Sequence, residues 1–362
     1  MKREKLMFLG GLVLTLMLAV MLFVSPCGAQ PAPAPTPAAA KPITLKFGTW
    51  QAGGAKNPLT TGQYRYLDEL EKRTNGRLKF DRYDGGSLAP GPALLEAVST
   101  GIADVAGICP PYFPAELPLH QVTVLPGFAV YPYPRAMASY KIYDRVPEMK
   151  AELTKYKVKL ISIQSLKSMG VVTRQPVRTL ADLKGKKLRV LGYQAELLAA
   201  LGGVPISMPT SDIYEAISKK TIDGHIHDAS AVIAFGTHEL CKYYTEYNFG
   251  NAVFLMAMRQ QVFDSLPKDI QKIITDMTEE GIKISVEVNA RDNKACEDKM
   301  RQLGIEFIKP TPDEEAKITA ATDQIVSKWI KGEEAKGRPA QKVVTGMKEL
   351  IKQYKPLPVW GQ

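Results

Sequence analysis

Hydrophobic and polar positions along the chain change period repeatedly, and the changes lay out an alternation of strands and helices. The segment Thr44 Leu45 Lys46 Phe47 Gly48 Thr49 Trp50 alternates residue by residue and predicts a strand ending in a loop with Gly53 and Gly54. Tyr64, Leu67 and Leu70 recur at helical spacing among Asp68, Glu69, Glu71 and Lys72, and Gly76 stops that helix before a strand at Leu78 to Tyr83. Pro92 to Thr100 reads as a short amphipathic helix and Ala103 to Ile108 as a third strand. Tyr133 to Tyr156 is helical in pattern, Lys159 to Ile163 and Val171 to Arg174 are strands, and Leu183 to Val190 is a polar turn and a strand. Tyr193 to Leu201 then forms a helix stopped by Gly202 and Gly203, followed by a strand at Pro205 to Met208. Thr210 or Ser211 is placed to cap a helix from Asp212 to Lys219. Beyond a strand at Asn251 to Met258, the helical pattern from Pro267 to Leu303 is longer than a typical globular helix, with Gly281 as a bend. Such a length calls for a scaffold role. Two more helices are expected near Asp313 to Ile330 and Pro339 to Tyr354.

One pattern occurs twice. Glu96 Ala97 Val98 Ser99 leads to Asp104, and Glu215 Ala216 Ile217 Ser218 leads to Asp223 at the same separation. Each copy is a helix end running into a strand, as expected of two lobes built on one unit; two copies do not make a solenoid. The body from about Pro42 onward is long enough for two ordinary domains. The expected class is α/β with two lobes and a long helix spanning both. Residues 43–165 fall mainly in the first lobe and 166–260 mainly in the second, while 261–362 supply the long helix and C-terminal helices packing on both.

The N-terminus alters the picture by adding an address. Lys2, Arg3 and Lys5 precede an apolar run from Leu6 to Val24, and small residues around Gly28 and Ala29 offer a cut, so 1–29 reads as a signal peptide. Lipidation at Cys27 is the rival, but Pro26 stands where a small residue normally precedes a lipidated cysteine. Residues 30–42 are a Pro/Ala-rich linker of polyproline character. Loss of the signal removes three positive charges and one negative, taking the formal charge from +10 to +8. That excess favours anionic ligands. Basic residues nevertheless alternate with Asp and Glu, which argues against nucleic acid. Cys109, Cys241 and Cys296 are widely spaced and odd in number, so they are expected to be free and buried.

The stretch from Leu183 to Gly224 carries a distinctive order of motifs: Asp182 to Gly185, a strand with Arg189, Gly203 Val204 Pro205, Met208 Pro209, Asp212 with Tyr214, and Asp223 Gly224. In this order it resembles the solute receptors of tripartite ATP-independent periplasmic (TRAP) transporters, dicarboxylate-receptor type. The resemblance implies a two-lobed α/β periplasmic binding protein fold of type II-like arrangement, a receptor that closes its lobes on a small organic acid and delivers it to integral-membrane TRAP permease subunits. Two departures bear on the ligand. Ser168 to Val171 stands where the family often has a second arginine, and His225 to Asp228 replaces its frequent Asn.

Arg189 is the candidate anchor, because a guanidinium presents paired donors to a carboxylate; the alternative is an arginine exposed on a basic strand. Trp50 and Tyr112 follow strands, where open α/β sheets place ligands, and Tyr193 and Phe254 have similar positions; ordinary packing is the alternative for all four. Arg174, Met208, His227 and Asp228 complete the candidate ligand contacts, with one residue of strand register deciding where Arg174 points. His225 and His227, near Asp223 and Asp228, would share a strand face, but their spacing matches no zinc motif. No cofactor is expected beyond a divalent ion bridging the ligand carboxylate. An exported enzyme acting on a small anionic metabolite is the second reading, although the chain shows no G-x-S-x-G, HExxH, P-loop or post-strand G-x-G-x-x-G after its signal. Mass spectrometry of the N-terminus of protein recovered from its host should find a chain beginning at Gln30; a diacylated Cys27 would overturn this.

Overall fold

The computed structural model describes residues 41–358 apart from 52, 54–56, 58 and 129–130, with the backbone alone at 252. The expectations for 1–29 and for the linker up to residue 40 lie outside the described residues. In chain order the elements are β1 (Ile43–Gly48), α1 (Thr61–Arg73), β2 (Leu78–Tyr83), α2 (Leu94–Thr100), β3 (Val105–Ile108), α3 (Pro132–Lys141), α4 (Pro147–Lys155), β4 (Val158–Ser168) and β5 (Gly170–Thr173). They continue with β6 (Lys187–Arg189), α5 (Tyr193–Ala200), β7 (Val204–Ile206), α6 (Ile213–Ser218), β8 (Gly224–His227), α7 (Ala229–Ala234), β9 (Tyr243–Thr245) and β10 (Asn251–Arg259). The chain closes with α8 (Gln260–Ser265), α9 (Lys268–Gln302), β11 (Glu306–Ile308), α10 (Pro312–Glu334) and α11 (Ala340–Ile351).

Two sheets result. The first runs β2-β1-β3-β10-β4 and the second β11-β9-β5-β8-β6-β7. Within the first, β1 lies parallel to both β2 and β3; within the second, β6 lies parallel to both β7 and β8. Each is therefore a βαβαβ unit with the earliest strand in the middle, flanked by an antiparallel strand, β10 beside β3 and β5 beside β8.

The repeated sequence pattern has the same structural job in both sheets. The Asp104 carboxylate accepts from the Lys46 amide at 2.8 Å while the Asp104 amide donates to the Lys46 carbonyl at 3.0 Å. Asp223 makes the matching pair with Lys187, at 2.8 and 2.7 Å. Each aspartate locks the entry of the third strand onto the middle strand. Gly224 then has a steric reason: a Cβ there would sit 1.9 Å from the Val172 carbonyl oxygen of β5, and backbone cannot yield cheaply.

The chain passes between sheets three times, once through α8 and α9 from β10 to β11 and twice at neighbouring points. Met169 links β4 to β5, and Glu246 to Gly250 link β9 to β10. The two links hydrogen-bond to each other, Met169 N to Gly250 O at 2.9 Å and Phe249 N to Met169 O at 3.1 Å. Consequently β10, which lies in the stretch 166–260 expected mainly in the second lobe, pairs in the first sheet.

Apolar residues on one side of α9 cover both sheets. Ile270, Ile274 and Met277 pack with Leu45, Phe47 and Leu67, whereas Cys296 and Met300 pack with Val172, Ile213 and Tyr244. Gly281, expected as a bend, serves a contact instead, since a Cβ would lie 2.3 Å from the Tyr66 ring. A 3-10 turn at Thr210–Asp212 leads into α6 without a side-chain cap, and the Ser211 hydroxyl bonds the Asp212 carboxylate. Cys109, Cys241 and Cys296 are free and buried. No described helix is long and apolar enough to cross a membrane. Gly224→Ala should lower unfolding stability by about 1–3 kcal/mol through overpacking, read by denaturant titration; an unchanged midpoint would show that β5 and β8 tolerate a side chain between them.

Candidate ligand site

The C-terminal ends of the parallel strands in both sheets face one cleft. Trp50 follows β1 and Tyr112 follows β3; Arg189 and His227 are the last residues of β6 and β8, and Phe254 lies on β10. These five predicted residues line the cleft together with Gln51, Leu59, Val124, Leu166, Met169, Gln194, Ile226 and Phe235, among others. The free space is about 60 Å³, room for a handful of water-sized positions, so the site suits a small ligand.

Arg189 is 2% exposed and its protein partners are neutral. Nε and Nη2 donate to the Met208 carbonyl at 3.1 and 3.0 Å, and Nη1 lies 2.8 Å from His227 Nε2. A guanidinium only donates, so His227 Nε2 accepts and the imidazole carries its proton on Nδ1. Burial, then the Arg189 charge, then His225 hold the His227 pKa well below its ordinary value, in keeping with that neutral acceptor. Burial also lowers the Arg189 pKa, and the nearby Tyr112 and Cys109 act against that shift. Met208 and His227 engage three of the five guanidinium N–H groups; the other two, one on each terminal nitrogen, are near the Tyr112 hydroxyl, which interacts with Arg189, and have the spacing that matches the two oxygens of a carboxylate.

The aromatic wall is held by edge contacts. Trp50 meets Phe254 at 5.1 Å between ring centres and 76° between planes, and Tyr112 at 6.2 Å and 90°. Gly91 makes room for it: a Cβ there would lie 2.8 Å from the Tyr112 ring and 3.3 Å from the Trp50 Cβ. Across the cleft Phe235 stands edge-on to His227 at 5.4 Å. Gln194 of α5 donates to the Val124 carbonyl at 2.7 Å, a buried tie between the two sides.

Four predicted contacts are placed otherwise. Met208 contributes its backbone carbonyl to Arg189, while its side chain packs in the core beside Ile213 and Ile217. Arg174 lies just past the end of β5, and its Nη1 donates to the Ile217 carbonyl at 3.0 Å, fastening the end of α6. Asp228 caps α7, accepting from the Ala231 amide at 3.0 Å and the Ser230 hydroxyl at 2.5 Å, so its carboxylate is consumed locally. Tyr193 packs between α5 and α10 among Leu197, Ile325 and Trp329. Among the described residues no group of three or more His, Cys, Asp or Glu is arranged to hold a metal. Sequence reasoning missed Gln51, Gln194 and Phe235. Gln51 and Gln194 adjoin residues that were singled out, whereas nothing in the pattern around Phe235 marks it.

His225, fully buried behind His227, is 2.8 Å from the Thr237 hydroxyl, and its Nδ1 has no partner among the described residues. Burial and then Arg189 bring its pKa down to about 3.

A model of the bacterial extracellular solute-binding protein family 7 matches residues 51–332. A solute-binding protein of Albidiferax ferrireducens is 27% identical over 269 residues, 73% of this chain and 75% of that one. A TRAP periplasmic solute-binding protein of Desulfovibrio salexigens, solved as an open complex, has a TM-score of 0.75 at 26% identity, covering 86% of this chain and 97% of its own. A TRAP solute-binding protein of Rhodoferax ferrireducens, solved with copurified benzoate, has a TM-score of 0.78 at 23% identity over 86% and 98%.

The unfolded His225 imidazole takes up a proton below about 6.5, the folded one only near 3. Stability from this group is complete above the first value and declines as pH falls toward the second, by up to about 1.4 kcal/mol per pH unit. His225→Gln, which can still bond Thr237, should flatten the loss of stability between neutral and mildly acid pH, read by denaturant titration; an unchanged slope would show that the histidine is not the group responsible.

Proposed function

Because the chain belongs to family 7 of the bacterial extracellular solute-binding proteins, we propose that it is an extracytoplasmic receptor that holds a small carboxylate on Arg189 and delivers it unchanged to TRAP permease subunits in the membrane. The observation that carries this reading is the buried guanidinium with neutral partners and two remaining N–H groups. A buried charge without a counter-charge is unfavourable, and an anionic ligand relieves that cost. The neutral surroundings of Arg189 support a preference for an anion.

Two further features support it. The paired links at Met169 and at Glu246 to Gly250 lie side by side, as a hinge for closing the sheets on a ligand requires, and Met169 itself lines the cleft. The basic head and apolar run at the N-terminus supply a route to the periplasm, where such a receptor works. The aromatic acid in the Rhodoferax ferrireducens relative is likewise a small carboxylate.

Small molecules released from the purified native protein and identified by mass spectrometry should include an organic acid, chemically unaltered on incubation with the protein. Calorimetry with that acid should show Arg189→Ala binding about thirtyfold to several thousandfold more weakly, the loss expected when one member of a buried charged pair is removed. Arg189→Lys keeps the charge without the planar fork and should remain well below wild type. If folded Arg189→Ala binds within about twofold of wild type, under roughly half a kcal/mol, the anchor is elsewhere; turnover of the acid would point to an enzyme.

A further inference from the structure

We infer that the cleft is built for a monocarboxylate with a flat, apolar body, an aromatic acid in chemical class, because one guanidinium faces a wall of aromatic and aliphatic side chains. The inference rests on the receptor reading above and specifies its ligand.

Charge sets the first limit. Of the described residues lining the cleft, Arg189 alone belongs to a formally charged type. His227 is committed as a neutral acceptor to that same guanidinium and adds no second positive group. A dicarboxylate would bring its second carboxylate into a dry cleft with no cation facing it, which burial strongly opposes.

Hydrogen-bonding capacity sets the second. A polyhydroxylated sugar acid would need a partner for each buried hydroxyl. Gln194 commits one N–H to the Val124 carbonyl, and Gln51, Thr210 and Tyr112 are the other uncharged side chains of the lining that carry oxygen or nitrogen besides His227. Gln51 Oε1 is buried without a partner among the described residues and could accept from one ring substituent, not from a set of hydroxyls. Leu59, Leu166, Val190 and Ile226 make the rest of the surface apolar.

Shape sets the third. Trp50 is fixed by edge contacts with Phe254 and Tyr112, and Phe235 is fixed against His227 on the opposite side. Aromatic walls from both sheets, with about 60 Å³ between them, fit a small ring whose face and edge can meet theirs. The carboxylate then lies at Arg189, and the ring points away from the strand ends of the second sheet.

The test is calorimetry on ligand-stripped, refolded full-length mature protein with benzoate, succinate and galacturonate as probes. Benzoate should bind at least about tenfold more tightly than either of the others, which is about 1.4 kcal/mol. Phe235→Leu, which keeps an apolar side chain and so the packing, should weaken benzoate by about threefold to tenfold. Succinate or galacturonate binding as tightly as benzoate, with the binding lost in Arg189→Ala, would overturn the aromatic assignment and leave the carboxylate receptor standing. Benzoate binding unaffected by Phe235→Leu would overturn the role given to the aromatic wall. Failure of all three probes, in protein whose native form releases no carboxylate, would overturn both readings.

Discussion

The structure turns on a positive charge buried in the cleft between its two sheets. Arg189 has lost nearly all contact with water and is fixed by one carbonyl and one imidazole, neither of which can neutralise it. Much around it follows from that constraint. His227 must stay neutral to accept, His225 is buried behind it, and the Met208 carbonyl must be presented at the turn after β7. The guanidinium is thereby held in one orientation.

The two halves reach this site by the same construction. Asp104 and Asp223 fasten equivalent strands with equivalent hydrogen bonds, which sets the ends of β3 and β8 at corresponding places on the two walls. Beyond β3 the wall carries Tyr112, while β8 ends in His227, which holds Arg189. Because the lock is mostly backbone chemistry, the residues beyond it can change with little effect on the frame.

Much of this was legible in the chain because it rests on local physics. The periodicity from Pro267 to Leu303 follows from one helix face covering apolar surface, and Arg189 sits in a strand whose neighbours are otherwise apolar or basic. What escaped depends on where distant segments meet. Asp228 looked like a ligand group because an acid beside two histidines suggests chemistry, yet the small residues after it mark a helix start, and capping took the carboxylate. Arg174 lies one residue beyond β5, and that position sends its side chain to α6. Tyr193 was near the site in sequence, but α10 arrives more than a hundred residues later and covers it. Phe235 enters the cleft through its contact with His227, which no local pattern encodes.

The placement of β10 has a consequence for how the molecule comes into being. In the first sheet β10 lies between β3 and β4, so β4 has no other strand beside it in that sheet. A nascent chain that has presented everything through β9 has all of the second sheet except its edge strand β11, while the first is still split between β3 and β4. The earliest-made lobe is therefore the later to complete its centre. Its closure needs the pairing of Val105 to Ile108 with Leu255 to Met258, across a loop of well over a hundred residues, a contact whose entropy cost makes it intrinsically slow. Until that strand arrives, the edges of β3 and β4 that it joins have no strand partner, in the half of the molecule that was synthesised first.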